Sequence, residues 1–164
     1  MNIKGANTRT LNKEITASGF KFAIVLSRFN ESIGKRLLDG ALECLKKHGC
    51  KDRDVEIINV PGAFEIPLAA DITAEKNRYD SIICLGAVIR GETPHFEYIS
   101  SAVSNGILQV GLKHGIPIIF GVLTTNTVEQ AMKRSGKKKG NKGWEAALAA
   151  IEMAGLINSL KRRK

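Results

Sequence analysis

The chain has 164 residues, a length that suits one domain with a full core. With 43% hydrophobic and 25% charged residues it is globular rather than disordered or fibrous, and its apolar stretches are too short or too interrupted to span a bilayer. The net charge of +9 is local: Lys133, Arg134, Lys137, Lys138, Lys139 and Lys142 form one cluster and Lys161, Arg162, Arg163 and Lys164 another, ten of 25 basic residues, leaving 15 against 16 acids elsewhere.

In chain order, residues 1–19 are polar with weak alternation and read as an arm or an edge strand. The polar start lacks the apolar core of a signal peptide, so a cytoplasmic protein is expected. Phe20 to Leu26 is a short apolar run and predicts the first strand. Asn30 is placed to cap the helix that follows, where Ile33, Leu37, Leu38, Ala41, Leu42 and Leu45 recur at helical spacing until Gly49. Val55 to Val60 predicts the second strand, ending at Pro61-Gly62. A second helix starts near Phe64, with Pro67 tolerable only in its first turn. Ser81 to Ile89 predicts the third strand, and a long helix runs from Pro94 to His114, closed by Gly115. Ile116 to Leu123 is a continuous apolar run of the kind buried on both faces. Thr127 caps a short helix to Arg134. A basic, glycine-rich loop (135–143) follows, and Trp144, Leu148, Ile151 and Gly155 mark one face of the last helix.

Alternation of strands and helices in this order implies a three-layer α/β/α sandwich, with helices on both faces of a central four-stranded parallel sheet. The whole chain, 1–164, reads as one domain without repeats or linkers. The three cysteines (Cys44, Cys50, Cys84) lack metal-type spacing and read as packing residues.

Ligands of such sheets bind outside the carboxyl ends of the strands. That rule selects Arg28-Phe29-Asn30, Pro61 to Glu65, Gly91 to His95, and Phe120 to Asn126. Phe29 either stacks on a flat heterocycle or staples the next helix. Glu65 either binds a ligand or merely favours a helix start. Gly91, Glu92 and Thr93 offer amides and a hydroxyl to an anion at the start of a helix, and Arg134 either forks onto the same phosphate or is an exposed helix-end arginine. His95 is a proton carrier or a surface histidine. No dinucleotide or triphosphate glycine motif occurs, nor a serine–histidine–acid signature, nor clustered metal ligands. A basic excess binds phosphate compounds, nucleic acid or only water. Without a nucleic-acid motif, and with few aromatics among the charges, nucleic acid is not expected.

Four segments in order carry a resemblance: Ser27-Arg28-Phe29-Asn30, Val60 to Pro67, Gly86 to Phe96, and Phe120 to Thr125. The loop Gly140-Asn141-Lys142-Gly143 and the stretch Ala150 to Met153 add to it. Together they resemble the 6,7-dimethyl-8-ribityllumazine synthase family over nearly the whole chain from Phe20. The resemblance implies a flavodoxin-like fold and a transferase that condenses 5-amino-6-(D-ribitylamino)uracil with 3,4-dihydroxy-2-butanone 4-phosphate in riboflavin biosynthesis, with no metal or organic cofactor. It implies that Phe29 stacks on the pyrimidine and that Ala63, Phe64 and Glu65 hold the ribityl chain. Ala87, Val88 and Ile89 would contact the pyrimidine through backbone groups. Glu92 and Thr93 would cradle the phosphate with their amides, helped by Arg134, and the Glu92 carboxylate would point away. His95 would move protons, and Phe120 would close the site from a neighbouring subunit. It further implies pentamers, which in some members build a 60-subunit icosahedral shell. The short 135–143 loop, without the insertion common in pentamer-only members, favours the shell. Two rivals are weighed against it: a non-catalytic relative that carries flavin or lumazine, which would need neither His95 nor Arg134, and a flavodoxin-like FMN protein, whose phosphate loop the first strand–helix turn lacks.

Overall fold

The structure, a computed structural model, describes residues 15–136 and 140–161. Four strands, β1 (Phe22–Ser27), β2 (Val55–Val60), β3 (Ser81–Ile89) and β4 (Ile118–Thr125), form one parallel sheet in the order β2-β1-β3-β4. Among the described residues five α-helices complete it: α1 (Glu31–Lys47), α2 (Ile66–Glu75), α3 (His95–His114), α4 (Val128–Arg134) and α5 (Lys142–Lys161). The expected α/β sandwich is the observed fold. All four carboxyl ends, at Ser27, Val60, Ile89 and Thr125, lie on the same side of the sheet because the strands are parallel and in register.

Two cores separate the layers. Phe22, Ile24, Ile83 and Leu85 face Ile33, Leu37, Leu45 and Ile151 of α1 and α5. Ala23, Val25, Cys84 and Val122 face Ile66, Ala70, Val103 and Ile107 of α2 and α3. Every residue of the central strand β1 is buried, and so is β3 up to Val88. All three thiols are buried in these cores. Burial pushes the Cys44 thiol up to about 11 and the Cys84 thiol higher still, so neither is a nucleophile near neutral pH.

Several expectations are corrected. The described part of the N-terminal arm, residues 15–19, is not a strand, although the Ala17 N–H donates to His48 O at 2.8 Å. Residues 1–14, the lysine run 137–139 and the tail 162–164 lie outside the described residues. β4 begins at Ile118, not Ile116, because Pro117 has no N–H for the ladder; its carbonyl still accepts from Ile82 N–H at 2.9 Å and from Ser81 Oγ at 3.0 Å. β4 is also an edge strand rather than one buried on both faces: Phe120 and Thr124 are exposed. The face of α5 is carried by Gly143, Ala146, Ala147, Ala150 and Ala154 around Ile151, while Trp144 and Leu148 are half-buried and Gly155 meets open space. Small residues let α5 lie very close to α1. A β-carbon on Gly143 would fall 1.9 Å from Leu37 O.

Asn141 locks that contact. It is 4% exposed, its Nδ2 donates to Arg36 O (3.0 Å), Gly136 O (2.8 Å) and Ser135 O (3.2 Å), and its Oδ1 accepts from the Gly143 and Trp144 amides at 2.8 and 3.1 Å. One side chain thus caps α5 and ties the turn before it to α1. Among the described residues no helix is long and apolar enough to cross a membrane.

Candidate functional site

Asn30 does not cap α1 with its side chain. It takes a left-handed conformation (φ 61°, ψ 47°), which asparagine tolerates, and its Nδ2 donates across the sheet to Ala87 O at 2.9 Å. The Arg28 and Phe29 amides donate to Val60 O and Pro61 O at 2.9 and 3.1 Å. The ends of β1, β2 and β3 are thereby joined into one floor.

Above that floor opens a cleft of about 710 Å³. Nine of the twelve site residues expected from sequence line it: Phe29, Ala63, Phe64, Glu65, Ala87, Val88, Ile89, Thr93 and His95. Phe96 and Ile99 of α3, not singled out for this role in the sequence, add apolar wall. Phe29 is 71% exposed and belongs to neither core, which removes the staple reading. Residues 63–65 form a single 3₁₀ turn before α2, and the Gly62 N–H donates to Glu65 Oε2 at 2.9 Å. Glu65 Oε1 has no partner among the described residues, so it can accept from a ligand hydroxyl.

The turn from Gly91 to Thr93 leads into α3, with Pro94 at its N-cap (φ −68°). No acceptor among the described residues takes the amides of Gly91, Glu92 or Thr93. Three such N–H groups just ahead of a 20-residue helix could form an anion cradle, with the positive end of the helix dipole behind it. Glu92, between Gly91 and Thr93, is exposed and does not line the cleft. His95, at the first position of α3, is exposed and stands beside the cradle.

Phe120 and Arg134 are elsewhere. They line a second cleft of about 750 Å³ between β4, α4 and the start of α5, together with Gln130, Lys133, Lys142 and Glu145. Lys142 is ion-paired to Glu145, whereas Arg134 has no acidic partner among the described residues. The two clefts share no residue. Phe120 sits third in β4, not at its carboxyl end. At about 3.3 Å per residue it lies roughly 16 Å short of Thr125. It is 44% exposed, on the strand that forms the edge of the sheet among the described residues.

The family model for 6,7-dimethyl-8-ribityllumazine synthase matches residues 19–158, nearly the whole chain. The chain belongs to the 6,7-dimethyl-8-ribityllumazine synthase family. Membership makes it an enzyme of the lumazine synthase type, acting in riboflavin biosynthesis, with the fold that the sheet order already displayed. The matched span includes every residue that lines the two clefts, Phe29, His95 and Arg134 among them.

Proposed function

We propose that the protein condenses 5-amino-6-(D-ribitylamino)uracil with 3,4-dihydroxy-2-butanone 4-phosphate to give 6,7-dimethyl-8-ribityllumazine, phosphate and water. The observation that supports this most is one cleft lined by an exposed phenyl ring, by Gly91 and Thr93 of the turn before α3, and by a histidine at the first position of that helix. Each matches one part of the substrate pair: a flat pyrimidine for Phe29, a phosphate for the Gly91–Thr93 amides, and protons to be moved for His95.

The chemistry asks little covalent help. The 5-amino nitrogen attacks the ketone and water leaves, giving an imine. Loss of a proton from the neighbouring carbon expels phosphate, and the resulting enol becomes a second ketone. The ribityl-bearing nitrogen closes onto it, and a second water leaves. His95 takes and returns the protons. Glu65 Oε1 and the backbone of Ala63 and Phe64 hold the ribityl hydroxyls, and the ends of β3 at Ala87, Val88 and Ile89 read the pyrimidine edge. Holding amine against carbonyl supplies about 7–11 kcal/mol of the barrier by orientation alone.

The second cleft completes the site on a neighbouring copy. Phe120 covers the ring and Arg134 forks onto the phosphate from there. The apolar residues that α2 and α3 leave exposed, Leu68, Ile72, Tyr98, Leu108 and Leu112, supply contact surface for a pentamer. Twelve such pentamers make the shell. The deciding experiment mixes the two substrates with enzyme and follows lumazine absorbance, first with wild type and then with a His95→Ala and Arg134→Ala variant dissociated and reassembled together. Hybrids exceeding the sum of the two variants support sites shared between copies. Absence of product with wild type overturns the reaction, and hybrids no better than the sum overturn the shared site.

A further inference from the structure

Arg90 stands between β3 and the amide cradle, and its contacts run in several directions at once. Its backbone N–H donates to Thr125 O at 2.9 Å, and its Nε donates to Asn126 Oδ1 at 2.9 Å. Its Nη1 meets the Glu97 carboxylate in the first turn of α3. Its guanidinium lies 4.3 Å from the centre of the Phe96 ring, a wall of the first cleft. Asn126 in turn donates its N–H to Gln130 Oε1 at 2.8 Å, on α4, whose last residue is Arg134. The Arg90 side chain and the Glu97 side chain are 42% and 50% exposed, so the ion pair adds little stability by itself. Its effect is geometric. The cradle, Gly91 to Pro94, is a four-residue bridge, and Arg90 holds its first residue to Phe96 and Glu97 beyond its far end. A planar fork fixes such a span in a way that a flexible ammonium cannot.

We infer that Arg90 is a positioning residue for the phosphate-bearing substrate: it sets the spacing of the three cradle amides and couples that turn to α4, the helix that carries Arg134. Glu97 keeps its charge in this arrangement because the Arg90 hydrogen bond holds its carboxyl below the usual carboxylate range. The inference rests on the phosphate reading of the cradle, and its test separates the two.

Inorganic phosphate is the probe, measured as a competitor of the phosphate-bearing substrate on the full-length assembled enzyme. In wild type it competes with that substrate. In Arg90→Lys, which keeps charge and loses the fork, the phosphate inhibition constant and the KM for that substrate both rise about ten-fold, in line with the sensitivity of reacting geometry to small misplacement. The KM for the other substrate and kcat change far less, and the thermal midpoint stays near that of wild type. Glu97→Gln, which keeps an acceptor for Nη1, retains near wild-type values, and Glu97→Ala moves with Arg90→Lys. An unchanged inhibition constant in Arg90→Lys with normal competition in wild type overturns the positioning role alone. Equal rises in both KM values together with a lowered thermal midpoint mark a merely structural role and also overturn it. No competition by phosphate in wild type removes the cradle reading and the inference with it.

Discussion

The two clefts are built from different materials. The first is made of strand ends, a 3₁₀ turn and the start of α3; its walls are aromatic and aliphatic, and its polar side chains are few: Glu65, Thr93 and His95. The second is made of an edge strand and two helices, and three of its lining residues, Lys133, Arg134 and Lys142, are cationic. Backbone amides are fixed by the fold, so the first cleft is preorganised for shape. Lysine and arginine swing on long stems, so the second contributes charge and depends on its frame for placement. The contrast teaches that one chain keeps the aromatic wall and the cationic side chains of its candidate site in separate clefts.

Breaking the first cleft at His95, the proposed proton carrier, gives the largest expected effect. His95→Ala lowers kcat by about 10²-fold while both KM values stay close to wild type, because orientation survives without the imidazole. Steady-state kinetics with each substrate varied in turn checks this, and a KM effect without a kcat effect contradicts the role. Breaking the second cleft at Arg134 acts differently: Arg134→Ala raises the KM for the phosphate substrate about 30-fold, the loss of a charge-assisted fork, with kcat little changed. Next comes the frame of the second cleft. Asn141→Ala strands the α5 amides and three carbonyls, costing about 2 kcal/mol and lowering the thermal midpoint by about 6 °C. The test is calorimetry, and an unchanged midpoint would mean that water replaces the side chain.

The smallest effect concerns the layer beneath the first cleft. Asp71 of α2 accepts from Lys113 Nζ at 2.9 Å and pairs with His114 Nε2 at 2.7 Å on α3, and these partners, Lys113 first, hold its carboxyl below the usual range. A depressed folded value means that the stabilisation is present above the ordinary aspartate value of about 4 and is lost as pH falls through the folded one. The midpoint difference between wild type and Asp71→Asn therefore shrinks below about pH 4. A difference that persists in acid would contradict the assignment.

Much of this was legible in the sequence, for stated reasons. β2 and β3 were read to the residue because their apolar runs end at Pro61 and at Arg90-Gly91. β4 was misjudged because apolar content marks burial only when the strand has neighbours on both sides, and nothing local says which strand takes the edge. The face of α5 was misread because alanines and glycines are weak in a hydrophobic pattern yet decide how closely helices approach. Asn30 was misassigned since residue type favours a cap, while the backbone twist that sends its amide to Ala87 is a property of the assembled sheet. Phe29 kept two readings until its exposure was known. Arg90 was missed as a tie because its partners, Glu97 and Asn126, are 7 and 36 positions away. The separation of Phe120 and Arg134 from the other site residues follows from strand direction and edge position, which motif spacing does not encode.

The three cysteine thiols, all sequestered in the cores, have a practical consequence. Cys44, Cys50 and Cys84 are every cysteine the chain possesses, and folding hides each of them from solution reagents. A single cysteine introduced on an exposed position such as Thr124 would then be the one thiol open to maleimide chemistry. A fluorophore or spin label placed there, at the mouth of the second cleft, would turn the native protein into its own distance gauge for the arrival of a neighbouring copy.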